Sequence, residues 1–491
     1  MNATTKTAVL LLALAAAATA GDAVTARDLA GIWAGTLSHD GETQPLALEL
    51  VPDPDGKLEM LAWLPAVHLV RAPFGKTLPK IEGDQVTLGP FHLAYDGKAG
   101  TLSGTMPDAL VPVYKLPLSL HRVERFDAPP RPAPGAPVVR PVWTFEAGAA
   151  QWAGGSFEAG VLFTGGDDGK LHALDAATGK EEWVARIGGA IRTRPTIAAG
   201  SLYIQADDGH LYKISAASGQ PLWRVQVNDA PIERLPFDNP KSRFDRFGSD
   251  VTVAAGRLYL GTHGGKVLAL EPETGAPVWS FSAGDAVLSA PAVADGRVYA
   301  GSYDHFVYAL DAATGRLVWK RDTLGAVVNT PTVSADGTRL VVGTRAYDLL
   351  GLEARTGEIA WKRYIWSSWV DSTATIKDGV AYVGSSDAAA AYAFDARTGQ
   401  PLWKTDVYGW AWGQPAVTDT RVYVGASSQV GYLAQHDGGV MALDRKTGRT
   451  LWRFPAPAPA AGAYGFAGSP AVGGGRVYVT GLDGRVLAFE L

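Results

Sequence analysis

Leu162–Trp183 reads LFTGGDDGKLHALDAATGKEEW, and forty residues later Leu202–Trp223 reads LYIQADDGHLYKISAASGQPLW. Each stretch is an apolar strand, an Asp-Gly turn, a second apolar strand, a Thr-Gly or Ser-Gly turn and a strand carrying Trp. Working outward, the same tryptophan recurs at Trp143, Trp183, Trp223, Trp279, Trp319, Trp361, Trp403 and Trp452, with spacings of 40, 40, 56, 40, 42, 42 and 49. A repeat near forty residues built only of strands predicts a β-propeller. The last copy, Val477–Leu491 (VYVTGLDGRVLAFEL), stops where a Thr-Gly turn and a Trp strand would follow, and Trp143 opens the region with nothing before it. Joined, the two pieces make one blade, which closes the ring and hides two sheet edges that would otherwise invite association. The expectation is eight blades over residues 142–491, about 44 residues each, a normal propeller repeat.

The 491 residues carry a formal net charge of −5, so there is no electrostatic footprint for nucleic acid or anionic lipid. Cysteine is absent, which removes disulfides, thiolate metal sites, cysteine nucleophiles and lipid anchoring through an N-terminal cysteine. Residues 1–20 (MNATTKTAVLLLALAAAATA) combine Lys6, an apolar run from Ala8 and a small-x-small site at Ala18-Thr19-Ala20, with Val24-Thr25-Ala26 as a second choice. They read as a secretory signal peptide, the run being too short to span a bilayer. The expected mature protein is periplasmic or extracellular, has no membrane span and is not a lipoprotein.

Residues 27–125 alternate short apolar segments with Gly or Asp turns: Gly31–Trp33, Leu46–Leu50, Leu58–Leu64, Gln85–Leu88, Phe91–Tyr95, Thr101–Thr105 and Tyr114–Val123. Alternation such as LALEL suits half-buried antiparallel strands, and no segment keeps a helical period. The fold class is therefore all-β: an eight-bladed β-propeller preceded by a small antiparallel β-barrel or sandwich. GIWAGTL resembles the first strand of small barrels in which Gly-x-Trp closes the core, making Trp33 a core residue. Between the domains, residues 126–141 (FDAPPRPAPGAPVVRP) hold six prolines and read as a stiff, extended linker.

Naming the blade strands A to D outward from the axis, A-to-B and C-to-D turns share one face, and B-to-C and D-to-A connections the other. The first face is monotonous, with turns such as Asp175–Gly179, Asp311–Gly315 and Asp395–Gly399, and reads as structure. Irregularity gathers on the second: an insertion after Trp223 containing PIERLPFDNPKSRFDRFGSD, a long B-to-C loop at Ala426–Gly439, and the loop Pro455–Gly468. Loops that vary on a rigid scaffold carry recognition. The candidate site is this rim. Trp366 and Trp369, with Tyr364, Trp410 and Trp412, with Tyr408, and Tyr464 supply aromatic surface; Phe244 and Phe247 add to it from the insertion. Arg192, Arg194, Asp250, Asn329, Asp371, Gln414 and Ser469 stand at strand A entrances facing the axis, and Arg345 replaces the usual Asp of a B-to-C turn. Together they suit an anion or carboxylate. No metal site is expected, because His210, His263 and His305 sit in turns of separate blades without ligand spacing. No P-loop, dinucleotide fingerprint or nucleophile elbow occurs in context.

Copies such as VYAGSYDHFVYALDAATGRLVW and LYLGTHGGKVLALEPETGAPVW resemble the repeat of the pyrroloquinoline quinone (PQQ)-like propellers, also called the tryptophan-docking repeat. The resemblance spans about 350 residues, 142–491. It implies one of two branches: the quinoprotein alcohol dehydrogenase-like enzymes, with quinone on the axis, or the compact protein-binding propeller of the outer-membrane β-barrel assembly factor. The enzymes' vicinal disulfide lid is impossible here, and copies three to five lack the long dehydrogenase insertions. The compactness resembles the assembly factor, from which the front domain and the missing lipidation cysteine depart. The preferred expectation is a secreted, monomeric scaffold that binds protein or polymer on the B-to-C and D-to-A face, with no cofactor. The alternative is a PQQ- and calcium-dependent oxidoreductase acting on alcohols or sugars, with Asp250, Asp371 and Arg345 as catalytic residues.

Overall fold

A computed structural model describes residues 24–39, 42–89, 91–107, 115–128, 131, 135–236, 239, 241–434 and 436–491; the expected signal peptide lies outside them. The chain divides near position 130 into two compact units.

The first unit is one curled antiparallel sheet of nine strands: β1 (Gly31–His39), β2 (Glu42–Pro52), β3 (Leu58–Leu64), β4 (Leu69–Thr77), β5 (Lys80–Glu82), β6 (Gln85–Leu88), β7 (Phe91–Asp96), β8 (Thr101–Pro107) and β9 (Lys115–Val123). Their order is β4-β3-β2-β1-β9-β8-β7-β6-β5, so the two middle hairpin ladders flank a β1–β9 pair that joins the ends of the unit. Strand β9 shows why the chain folds this way. Its sequence KLPLSLHRV buries every second residue, Leu116, Leu118 and Leu120, on one face. A single helical turn, Ala26–Leu29, precedes β1 and is started by Asp28 accepting from the Thr25 amide at 2.8 Å. Its Leu29 carbonyl accepts from Trp33 Nε1 at 2.7 Å, fixing the fully buried indole beneath Arg122, 4.6 Å away. Trp33 is core, as its sequence context implies.

The second unit is an eight-bladed propeller. Blades 1 to 7 occupy 156–186, 196–226, 252–282, 292–322, 332–364, 375–406 and 416–455, each an antiparallel sheet in the order A-B-C-D. The eighth takes A, B and C from Ala471–Gly473, Arg476–Thr480 and Arg485–Glu490 and its outermost strand from Trp143–Glu146. Trp143, Thr144, Phe145 and Glu146 pair with Ala488, Leu487, Val486 and Arg485, the split blade read from the sequence. B and C strands are apolar on both faces because blades stack face to face; in blade 2, Leu202, Ile204, Leu211 and Ile214 are fully buried. D strands, at the rim of the disc, expose alternate residues.

The repeat tryptophan is the lock between blades. Trp279 of blade 3 donates Nε1–H to the Ala312 carbonyl of blade 4 at 3.0 Å. Its ring lies where a side chain on Gly315 would fall, 2.6 Å from the indole. Gly315 has φ +71°, a left-handed conformation natural to glycine, and Thr314 closes the turn by donating to Asp311 at 2.7 Å. Trp143, Trp183, Trp223, Trp319, Trp361 and Trp403 make the equivalent bond to the next blade.

The linker differs from the extended spacer its prolines suggest. Arg131 forms a two-pronged pair with Asp406 at 2.6 and 2.7 Å and lies 4.4 Å over the Tyr408 ring, and Pro137 and Val139 exchange backbone bonds with Arg453. Proline removes the linker's own donors, and Arg131, Pro137 and Val139 bond to the outer strands of blades 6 and 7.

Candidate functional site

All eight D-to-A linkers converge on one axial cavity of about 90 Å³. In ring order they contribute Ala153, Arg192, Asp250, Ala290, Asn329, Asp371, Trp412 and Ser469. Strand A is innermost, so its entrance has nowhere to point but the axis. Arg345, from a B-to-C turn, reaches the same space.

Of the sequence-derived residues, Arg192, Phe244, Phe247, Asp250, Asn329, Arg345, Asp371, Trp412, Gln414 and Ser469 line this cavity. Asn329 spends its amide on the backbone, donating to the Gly343 and Val370 carbonyls at 2.7 and 2.8 Å and accepting from the Gly343 amide at 3.2 Å. Arg345 grips Asp371 with Nε and Nη2 at 2.9 to 3.2 Å, each side chain only 10% exposed. Arg194 stands outside the lining, its amide donating to Asp250 Oδ1 at 2.6 Å and its Nε 3.5 Å from Oδ2. Burial pushes the Asp250 carboxyl above its ordinary range, against the opposing pull of Arg194.

The rim aromatics do not form an open platform. Trp366, Trp410 and Tyr464 are buried. Trp410 stacks on Trp412 at 4.7 Å with the planes 8° apart, and donates to Asp387 at 3.0 Å. Tyr464 donates to the His436 carbonyl at 3.3 Å. Trp369 lies 4.3 Å beneath the Arg345 guanidinium. Large rings in the linkers fill the space between blade ends, the ordinary use of aromatic bulk. Among the described residues, the exposed apolar ones of this face are Leu324, in the linker after blade 4, and a group of three, Val430, Tyr432 and Leu433. The three cap blade 7, whose B strand runs on to Gln429 and pairs beyond the blade with Ala463–Gly465.

The insertion between blades 2 and 3 crosses the axis. Arg234 anchors its start with a two-pronged bond to Asp207, 2.7 Å on each arm. Arg243 does the same to Asp285 at 2.9 and 3.0 Å and covers the Tyr303 ring at 4.1 Å. Its carbonyl accepts from Arg345 Nη1 at 2.6 Å and from Tyr303 Oη at 3.1 Å. Phe244 meets Trp369 edge-on at 5.5 Å, and Phe247 sits 6.4 Å from both Trp152 and Trp412. Asp245, Arg246 and Tyr303 thus join the cavity wall without having been singled out from sequence. The 56-residue spacing marks the insertion, but nothing in its irregular sequence says that it folds inward. Among the described residues no three His, Asp or Glu side chains gather as a metal site.

The model of the family described as outer membrane protein assembly factor BamB matches residues 139–244, 233–369 and 363–491. The chain therefore belongs to that family. BamB from Moraxella catarrhalis is 21% identical with a TM-score of 0.53, the match covering 72% of this chain and 97% of that one. Quinohemoprotein alcohol dehydrogenase ADHIIG from Pseudomonas putida HK5 is 15% identical with a TM-score of 0.53, covering 72% and 76%. Sqt1 of Saccharomyces cerevisiae, 12% identical, reaches 0.57 over 72% and 99%. At these identities the likeness is one of fold. No curated protein sequence matches the chain.

Proposed function

We propose that this BamB-family propeller is a binding and scaffolding module of the cell envelope, recognising protein or polymer on its B-to-C and D-to-A face and working without a quinone. The observation that carries the reading is the tip of blade 7. Val430 and Leu433 are 39 and 56% exposed on a loop fastened by Tyr432, whose ring meets Trp410 at 4.7 Å and whose hydroxyl donates to Asp387 at 2.7 Å, and apolar groups held out by a rigid scaffold mark a contact surface. No helix among the described residues is long and apolar enough to cross a membrane; the signal-peptide reading of residues 1–20 supports a location in the periplasm or outside the cell.

Three features argue against the oxidoreductase alternative. The axial cavity, about 90 Å³, is smaller than the roughly 150 Å³ of an engineered cavity that holds one benzene ring, which counts against a quinone of three fused rings. Asp371 is taken by Arg345, Asp250 by Arg194, and the Asn329 amide by the backbone. The insertion occupies the position from which a substrate would approach.

A photo-crosslinking residue at position 433 is expected to trap a defined polypeptide in the envelope, and the same residue at Thr314, on the C-to-D face, to trap none. Equal labelling at both positions, or none at 433, overturns the reading. Calorimetry with PQQ and calcium is expected to give no saturable heat; stoichiometric binding lost in Asp371→Asn establishes the oxidoreductase instead.

A further inference from the structure

We infer that the seam between blades 2 and 3, at the circumference of the propeller, receives a phenylalanine side chain from an extended polypeptide segment laid along the outer edge of blade 2. The seam is on the other side of the ring from the blade 7 tip, and the inference stands whether or not that tip binds a partner.

The seams of the ring share one construction. At each, the second residue after the repeat tryptophan meets a C-strand residue of the next blade and the D-strand residue paired with it. Between blades 3 and 4 these are Phe281, Tyr308 and Lys320, the first two rings 5.2 Å apart. Phe145 meets His172 at 5.3 Å between blades 8 and 1, and Phe454 meets Phe489 at 5.2 Å between blades 7 and 8. Between blades 1 and 2 the Tyr212 hydroxyl donates to Asp208 and accepts from the Gly188 amide at 3.2 Å. Arg321 and Arg363 donate to the Gly357 and Gly399 carbonyls of the following blades at 2.6 and 2.7 Å, and between blades 6 and 7 Met441 is paired with Arg453. Blades 2 and 3 bring Val225, Leu268 and Ser280. Among the described residues, theirs is the one trio with neither a ring nor an arginine or lysine.

Those short side chains leave a trough of about 580 Å³ whose lining includes Val225, Leu268, Pro277, Ser280, Asp229 and Lys266. Lys266 and Asp229 pair with each other at 3.3 Å, so the trough presents no unpaired charge to a guest. An uncharged ring repeats what the molecule itself does at Phe145, Phe281 and Phe454, and laying it on the half-buried Val225 removes apolar surface from water.

The molecule also shows how such a guest arrives. Strand D of blade 7 (Thr450–Pro455) is outermost in its blade, and the linker lies along it: the Arg453 amide donates to the Pro137 carbonyl and the Arg453 carbonyl accepts from the Val139 amide, each at 2.9 Å. Val139 packs against the cluster that fills the seam between blades 7 and 8. Strand D of blade 2 (Pro221–Gln226) likewise ends its sheet. A segment pairing with it places alternate side chains over the neighbouring seam, where main-chain bonds supply affinity and the trough selects the residue.

The test uses methyl NMR of the full chain with a capped, uncharged pentapeptide carrying one central phenylalanine, and the same peptide with alanine in its place. The phenylalanine peptide is expected to shift the Val225 and Leu268 methyl signals saturably, and the alanine peptide to bind at least about tenfold more weakly, the scale of one buried phenyl group. Val225→Phe and Ser280→Lys each rebuild the seam with a residue type that other blades carry, and each is expected to lower the affinity about tenfold or more. Ser280 is exposed, so its variant decides the matter should the first fold poorly. Equal binding of the two peptides, no saturable shift, or unchanged affinity in either folded variant overturns the inference. Capped phenylalanine alone binding as tightly as the pentapeptide shows that no strand is added, and overturns the polypeptide as the ligand.

Discussion

His263 shows how one residue couples the insertion to acidity. It sits in the B-to-C turn of blade 3, its side chain 16% exposed and Nδ1 3.8 Å from Asp245 of the insertion. Burial, reinforced by Arg234 and Arg243 and opposed by Asp245 and Asp207, lowers its pKa to about 4. The unfolded chain binds this proton near the ordinary histidine value of about 6.5, so the unfolded state holds more protons between those limits. Stability is full above about pH 6.5 and falls as pH drops toward 4, by at most about 3 kcal/mol from this residue. Denaturant titrations at pH 7 and 4.5 are expected to show the loss, and His263→Gln to reduce it. An identical pH profile in the variant removes the residue from the account. Residues of this kind were opaque in the sequence. His263 looked like an exposed turn histidine, and Asn329 looked like a ligand; the first is covered by an insertion folding inward, and the second is consumed by two backbone carbonyls. Side-chain type predicts that a polar group needs a partner and leaves open which partner it finds.

Among the elements, those with a repeat to compare against were legible and the others were not. The A to D strands of the blades follow from apolar runs and turn chemistry, since the same pattern recurs eight times. In the first unit β4 and β5 carry no strand signal in the sequence: β4 reads LVRAPFGKT, where Pro73 and Gly75 break the alternation, and most of the strand is exposed. It is an edge strand, and edges tolerate such residues. The lock between blades yields a direct test at Trp279. Trp279→Ala removes a buried indole and is expected to cost about 3–5 kcal/mol. Trp279→Phe keeps most of the packing but loses the 3.0 Å bond to Ala312, about 1 kcal/mol. Gly315→Ala is expected to destabilise through both its φ of +71° and the 2.6 Å approach to the indole. Chemical denaturation checks all three. A cost below 1 kcal/mol for Trp279→Ala refutes the lock.

At the scale of the molecule, the ring has one seam unlike its other joints. Trp452 of blade 7 faces the split blade, where the chain ends before any Thr-Gly turn, and packs instead on Phe489 at 5.4 Å. On the other side the split blade meets blade 1 at the Ala176–Ala177 turn: the Ala176 carbonyl accepts from Trp143 Nε1 at 3.1 Å, Arg476 Nη1 at 3.0 Å and Tyr478 Oη at 3.2 Å, Arg476 also donates to the Ala177 carbonyl, and Tyr478 and Val486 pack with Leu162 and Leu174. Four residues of the outermost strand, paired with strand Arg485–Glu490, hold the two ends of the propeller together. Such a seam is where the ring opens first, because separating it exposes one short ladder while every other joint is covalently continuous. A covalent clasp tests this. Glu146 and Arg485 are register partners at the surface end of that ladder, and the chain has no cysteine of its own, so Glu146→Cys with Arg485→Cys leaves a single pairing available. The bond closes a loop of most of the propeller, for which chain entropy sets an upper limit of about 6 kcal/mol. The oxidised double variant is expected to form quantitatively in air and to melt well above its reduced form. Failure to crosslink denies the pairing of the two termini. Crosslinking without a rise in melting temperature places the first opening at another joint, and the tryptophan locks then become the weaker link.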